Sequence, residues 1–146
     1  MIKNYTSGVP PEKSILHIER ALVSHGAKNI FKNYESSRLI GFAFGIEING
    51  KEIPFKIPAR IDRVEKRLKE TIKKPHKGTM KRVGEQAEKT AWKILADWVD
   101  IQMTLVDLDQ VELMEVFLPY AYDAIKNQTL FDKVKNGTFK LLSEKN

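Results

Sequence analysis

The chain has no cysteine in its 146 residues. That excludes disulfides, thiolate zinc sites and a cysteine nucleophile, and it suits a reducing cytoplasm. No apolar run approaches the roughly 20 residues that a membrane-crossing helix needs. The opening "MIKNYTSGVPPEK" has no apolar core of the kind a secretion signal carries. A cytoplasmic protein without a membrane segment is the expectation. Histidine is scarce: His17, His25 and His76 are the only ones, with no pair at ligand spacing, so no metal site is expected. There is no GxSxG and no GxGxxG, and "KGT" lacks the upstream glycine, the preceding strand and the residue order of a phosphate-binding loop. Asp97 and Asp100 stand one helical turn apart and have the chemistry for Mg²⁺, but acids near a helix end are ordinary surface residues. No catalytic residue and no cofactor is expected, and the chain reads as a binding protein rather than an enzyme.

What is present is a core and a divided charge. Hydrophobic residues make up 42% of the chain, enough for one domain over 1–146, and the net charge is +6 with a pI near 9.4. A basic balance favours polyanionic partners such as nucleic acid. From Arg60 to Arg82 there are ten Lys/Arg against three acids; from Asp97 to Asp123 there are seven acids and no Lys/Arg. Segregated solvated charge is the plain alternative to a functional pole.

Periodicity predicts an α+β fold. "PPEKSILHIERALVSHGA" is a first helix, with Ile15, Ile18 and Leu22 at helical spacing and Gly26 as its stop. "NIFKNY", "RLIGFAFGIEI" and "KEIPFKIP" then predict a three-stranded antiparallel sheet. Asn49-Gly50 sets a two-residue hairpin turn that pairs Ile46 with Ile53, Phe44 with Phe55 and Phe42 with Ile57 on one face. Pro54 and Pro58 make the third strand an edge. On the other face, Gly41, Ala43 and Gly45 leave room for close packing or for a ligand lying flat.

The division is helix plus sheet over 1–58, helical structure over 59–127, and a C-terminal turn and short strand over 128–146. "RIDRVEKRLKETI" carries Ile61, Val64, Leu68 and Ile72 on one stripe and Arg60, Arg63 and Arg67 on another. One long helix is expected over about 79–108, capped by Thr79. Val83, Ala87, Ala91, Ile94, Trp98, Ile101, Leu105 and Leu108 form its main stripe, with Trp92, Leu95, Val99, Met103 and Val106 beside it. "QVELMEVFLPYAYDAI" continues as a helix bent at Pro119. Val111, Met114, Phe117 and Leu118 are too apolar for one face of a small monomer, so a homo-oligomer with the third and fourth helices at its seam is expected.

"KKPHKGTMKR" is where function is sought. A helix N-terminus carries roughly half a positive charge, so folding favours acids there. This chain places Lys77, Lys81 and Arg82 around Thr79 and puts Asp100, Asp107 and Asp109 toward the negative end. That opposes the dipole but makes an anion site, since amides and side chains all point one way. The candidate phosphate or nucleic-acid residues are Arg60, Arg63, Arg67, Lys73, Lys74, His76, Lys77, Lys81 and Arg82. A solvated linker is the competing reading.

The first-half order α-β-β-β-α is that of the double-stranded-RNA-binding domain, but "ARIDRVEKRLKE" stands where that domain has a basic "KKxAKxxAA"-type helix start, so no contacts carry over. "KNYTSGVP", "PHKGT", "EQAEKTAWKILADWVDIQ", "VFLPY" and "FKLL" together resemble a group of short uncharacterised proteins of bacteriophages, prophages and other mobile elements. The resemblance implies a bacterial host cytoplasm and two roles. One is an accessory protein that binds nucleic acid. The other is an anti-defence protein that inhibits a host immune protein or sequesters a nucleotide signal.

Overall fold

The computed structural model describes residues 2–137. Helix α1 (Pro11–Ser24) opens with proline in its first turn, where a missing N–H is harmless, and ends before Gly26 at φ 100°. Strands β1 (Ala27–Glu35), β2 (Arg38–Ile48) and β3 (Lys51–Pro58) follow, then helix α2 (Ile61–Glu70) and the 29-residue helix α3 (Thr79–Asp107). The chain finishes with the short helix α4 (Leu113–Phe117), a 3₁₀ turn (Leu118–Tyr120), the two-residue strands β4 (Tyr122–Asp123) and β5 (Gln128–Thr129), and α5 (Leu130–Lys135). The fold is α+β, with an N-terminal helix, a three-stranded antiparallel sheet and a helical half built on one long helix.

The sheet has the order β1-β2-β3, and the β2–β3 register joins Ile46 to Ile53, Phe44 to Phe55 and Phe42 to Ile57. Asn49 and Gly50 both have positive φ, the geometry a two-residue hairpin turn demands. Ser36 and Ser37 do the same between β1 and β2 without a glycine. The inner face carries the core: Phe42 stands edge-on to Trp92 at 5.3 Å between ring centres, and Phe44 does the same to Phe117 at 5.3 Å. Both glycines of the outer face are explained inside the sheet. A Cβ on Gly41 would meet the Ile57 carbonyl at 2.6 Å, and one on Gly45 would meet the folded-over side chain of Glu52. Close packing is therefore their role.

Four expectations need correction. First, α3 buries Ala87, Ala91, Trp92, Ala96, Val99 and Met103, whereas Ile101 and Leu108 of the expected main stripe are 58% and 61% exposed. A strict seven-residue repeat drifts about 20° per heptad around a straight helix, so the second stripe takes over after Ala91. Second, Gly78, not Thr79, is the cap of α3; the Thr79 hydroxyl instead accepts the His76 amide at 2.7 Å.

Third, the chain is not helical through residue 127. Pro119 sits in the 3₁₀ turn, and Ala121–Asp123 is extended, bridging to Phe55 of the β3 edge. Residues 130–135 are helical, and the expected final strand lies outside the described residues. Fourth, Phe117 is fully buried against Phe44, Phe55 and Trp98, so it belongs to the core and not to a subunit seam.

Candidate nucleic-acid interface

Helices α2 and α3 pack against each other and meet at a corner formed by residues 71–78. The pair closes tightly where Gly84 of α3 faces Glu65 of α2: a Cβ there would lie 2.8 Å from the Glu65 carboxylate. The Arg38 guanidinium donates to the Gly84 carbonyl at 3.2 Å. Ile61, Val64 and Leu68 turn toward the core, which leaves Arg63, Lys66 and Arg67 exposed on the outside of α2.

All nine sequence-selected residues are exposed: Arg60, Arg63, Arg67, Lys73, Lys74, His76, Lys77, Lys81 and Arg82. They do not converge on one point. Lys73, Lys74, His76, Lys77, Lys81 and Arg82 gather around the corner, while Arg60 and Arg63 stand at the far end of α2, about 15 Å away along a ten-residue helix. Arg67 lies between, paired with Glu70 at 3.4 Å. Among the described residues, Arg67 is the one member of the nine with an ion-pair partner within 4.0 Å. The result is a strip, continued by the exposed Lys66 and by Lys69, which pairs with Glu65 at 3.9 Å.

At the corner, Gly78 takes φ 84° and has no side chain with which to cap α3, whose first amide, on Thr79, donates to the His76 carbonyl at 3.0 Å; its first turn holds no acid and its last turn no base. The positive amide end of α3 and the lysines beside it stand together at this corner, next to the C-terminal end of α2.

The acidic segment is used differently. Asp97 accepts from Lys93 at 2.7 Å and from Asn4 at 2.8 Å, Asp100 meets His17, Asp107 meets His25, and Asp123 pairs with Lys133 at 3.2 Å. Burial works to raise the Asp97 carboxyl, but its bonds from Lys93 and Asn4 outweigh that and hold it below the ordinary range. Glu112 and Glu115 form a reciprocal cap on α4. Among the described residues no group of three or more acids or histidines is arranged to hold a metal, and no helix is long and apolar enough to cross a membrane.

One feature was invisible in the sequence. Arg60 adopts a left-handed backbone, φ 51° and ψ 46°, at the start of α2. For a non-glycine residue that costs on the order of 1 kcal/mol. It turns the chain sharply out of β3 and leaves Arg60 bordering a cleft of about 520 Å³ between β3, α2 and the β4–β5 hairpin. Lys56, Arg63, Tyr120, Tyr122 and Phe131 also line that cleft. No periodicity marks it, because its walls come from five separate short segments; the aromatics of "YAYD" and "TLF" beside asparagine and threonine are the only local hint.

No family model, curated protein or solved structure matches the chain. The functional assignment therefore rests on this geometry.

Proposed function

We propose that the protein is a non-enzymatic nucleic-acid-binding protein that docks the phosphate backbone along α2 and the α2–α3 corner. The observation that carries this is the corner itself. Five lysine and arginine side chains, Lys73, Lys74, Lys77, Lys81 and Arg82, stand exposed around the N-terminus of α3, with no acid between residues 71 and 82. In the mobile-element setting that the sequence resemblance implies, the partner is the element's DNA or RNA in the host cytoplasm. The acidic segment gives less support to capture of a host protein, since Asp97, Asp100, Asp107 and Asp123 are held by side chains of the same chain.

Fluorescence anisotropy with labelled oligonucleotides of unrelated sequence tests this. Affinity should fall steeply with salt, because each phosphate neutralised releases counterions. The quadruple variant Lys74→Ala, Lys77→Ala, Lys81→Ala, Arg82→Ala should weaken all sequences by similar factors and flatten the log–log salt slope by about two to four. Unchanged affinity and slope in that variant would overturn the proposal and return the stretch to a solvated linker.

A further inference from the structure

The cleft beside Arg60 combines two kinds of surface. Lys56, Arg60 and Arg63 supply three cations with no ion-pair partner within 4.0 Å among the described residues. Tyr120, Tyr122 and Phe131 supply aromatic walls, and Phe131 is left 52% exposed. The Tyr122 ring is fixed in place, its hydroxyl donating to Asn127 Oδ1 at 2.6 Å and the Lys56 ammonium lying 5.1 Å from its centre. Among the described residues one acid lines the wall, Asp132; its carboxylate accepts the Thr129 amide at 3.0 Å, and the Arg60 charge helps to hold it ionised, so a phosphate here would share Arg60 with it. The volume, about 520 Å³, falls within the range of small-ligand sites.

We propose that this cleft seats one unstacked nucleotide of a single-stranded nucleic acid, its base against Phe131 and Tyr122 and its phosphate on Arg60 and Arg63. This rests on the reading of α2 as a phosphate-binding strip, because the cleft opens at the end of that strip and shares Arg60 and Arg63 with it. An inorganic anion would engage the arginines and leave the rings idle. An apolar ligand would fill the rings and strand the cations. A nucleotide uses both, since every base has a face to stack and every phosphate a charge to pair. The left-handed Arg60 fits the same picture, as strained backbone is held where a side chain must be aimed. A duplex keeps its bases stacked inside and cannot fill the cleft, so strandedness becomes a property of the site.

The test compares a short labelled oligothymidylate, its duplex and thymidine monophosphate by anisotropy and competition, with the full chain. Phe131→Ala changes a half-exposed residue and should leave the fold intact; it should weaken single-strand binding by about fivefold or more and leave duplex binding unchanged. Tyr122→Phe keeps the ring and should bind as the parent does, while Tyr122→Ala should not. A 5-bromouracil oligonucleotide should photocrosslink to Tyr120, Tyr122 or Phe131, located by mass spectrometry. Loss of binding in the corner variant, with Phe131→Ala and Tyr122→Ala both silent and no crosslink in the cleft, would overturn the cleft and leave the corner standing. The reverse pattern would uphold the cleft and remove the corner from the nucleic-acid site. Monophosphate competing as well as the oligonucleotide would show that the ligand is a free nucleotide, overturning the single-strand assignment.

Discussion

His25 Nε2 lies 2.9 Å from Asp107 Oδ1, joining the end of α1 to the end of α3. Eight residues earlier on α1, His17 Nε2 meets Asp100 Oδ1 at 2.5 Å, seven residues earlier on α3. Two turns of one helix thus match two turns of the other, so α1 runs parallel to the C-terminal half of α3. Two of the seven acids of the negative segment serve to dock α1.

Stability should depend on pH through this seam. Burial lowers the affinity of His25 for a proton. The Ala21 carbonyl at 2.7 Å, the hydrogen bond to Asp107 and the Asp107 charge together outweigh it, so the folded-state pKa lies above the ordinary 6.5. A raised pKa means that the contribution is complete below about 6.5 and is lost as pH rises through the folded value. The melting temperature should therefore fall as pH rises above about 6.5, and Asp107→Asn should flatten that fall. Equal slopes in parent and variant would show that the seam does not sense pH.

Gly41 and Gly45 should respond differently to alanine. At Gly41 the new methyl meets the backbone carbonyl of Ile57, which cannot move without opening the β2–β3 ladder. Overpacking of that kind costs about 1–3 kcal/mol. At Gly45 the obstacle is the Glu52 side chain, which can swing into solvent and surrender its bond from Asn29. Gly45→Ala should cost less than about 1 kcal/mol. Denaturant melts of the two variants decide it, and equal losses would mean that Glu52 is as fixed as the backbone.

These glycines also show what was legible. The β2–β3 hairpin could be read because its signals are local: Asn49-Gly50 names the turn, and alternation names the face. The outer-face glycines were visible as a pattern, but only coordinates show a carbonyl above one and a carboxylate above the other. The length of α3 was readable from periodicity. Its buried side was not, because two adjacent apolar stripes run along it and the choice between Trp98 and Val99 is made by what packs on them. The β4–β5 hairpin has two residues per strand, too few for any period to register. The corner of the candidate interface could be read from charge alone, whereas the cleft at its far end depends on the left-handed turn at Arg60 and on residues more than sixty positions downstream.

Self-association is the third expectation. The displaced stripe of α3 leaves Ile101 and Leu108 exposed, with Leu118 beyond them at 40%. Val111 and Met114 are half-buried at the same end of the chain. A second copy packed against this end of α3 would cover them. Light scattering at micromolar concentration should return about twice the 16.8 kDa chain mass, and Ile101→Glu should return the single-chain mass with an unchanged circular dichroism spectrum. A parent protein already at 16.8 kDa would rule the dimer out.

The last prediction concerns what the basic corner costs the fold. Lys77, Lys81 and Arg82 surround the positive end of α3, and no acid in its first turn offsets them. Each unfavourable charge near a helix end is worth about 0.3–1 kcal/mol at low ionic strength when exposed. Lys73 and Lys74 follow the C-terminal end of α2, where the dipole favours cations, so the conflict is confined to Lys77, Lys81 and Arg82 at the start of α3. Removing Lys77, Lys81 and Arg82 together should therefore raise the melting temperature slightly at low salt, and the gain should shrink as salt screens the field. Lost oligonucleotide binding with an unchanged or higher melting temperature would mark these side chains as held for binding against the preference of the fold. A lower melting temperature would show that the corner stabilises the helix pair in some other way, and the conflict between charge and dipole would no longer argue for a ligand there.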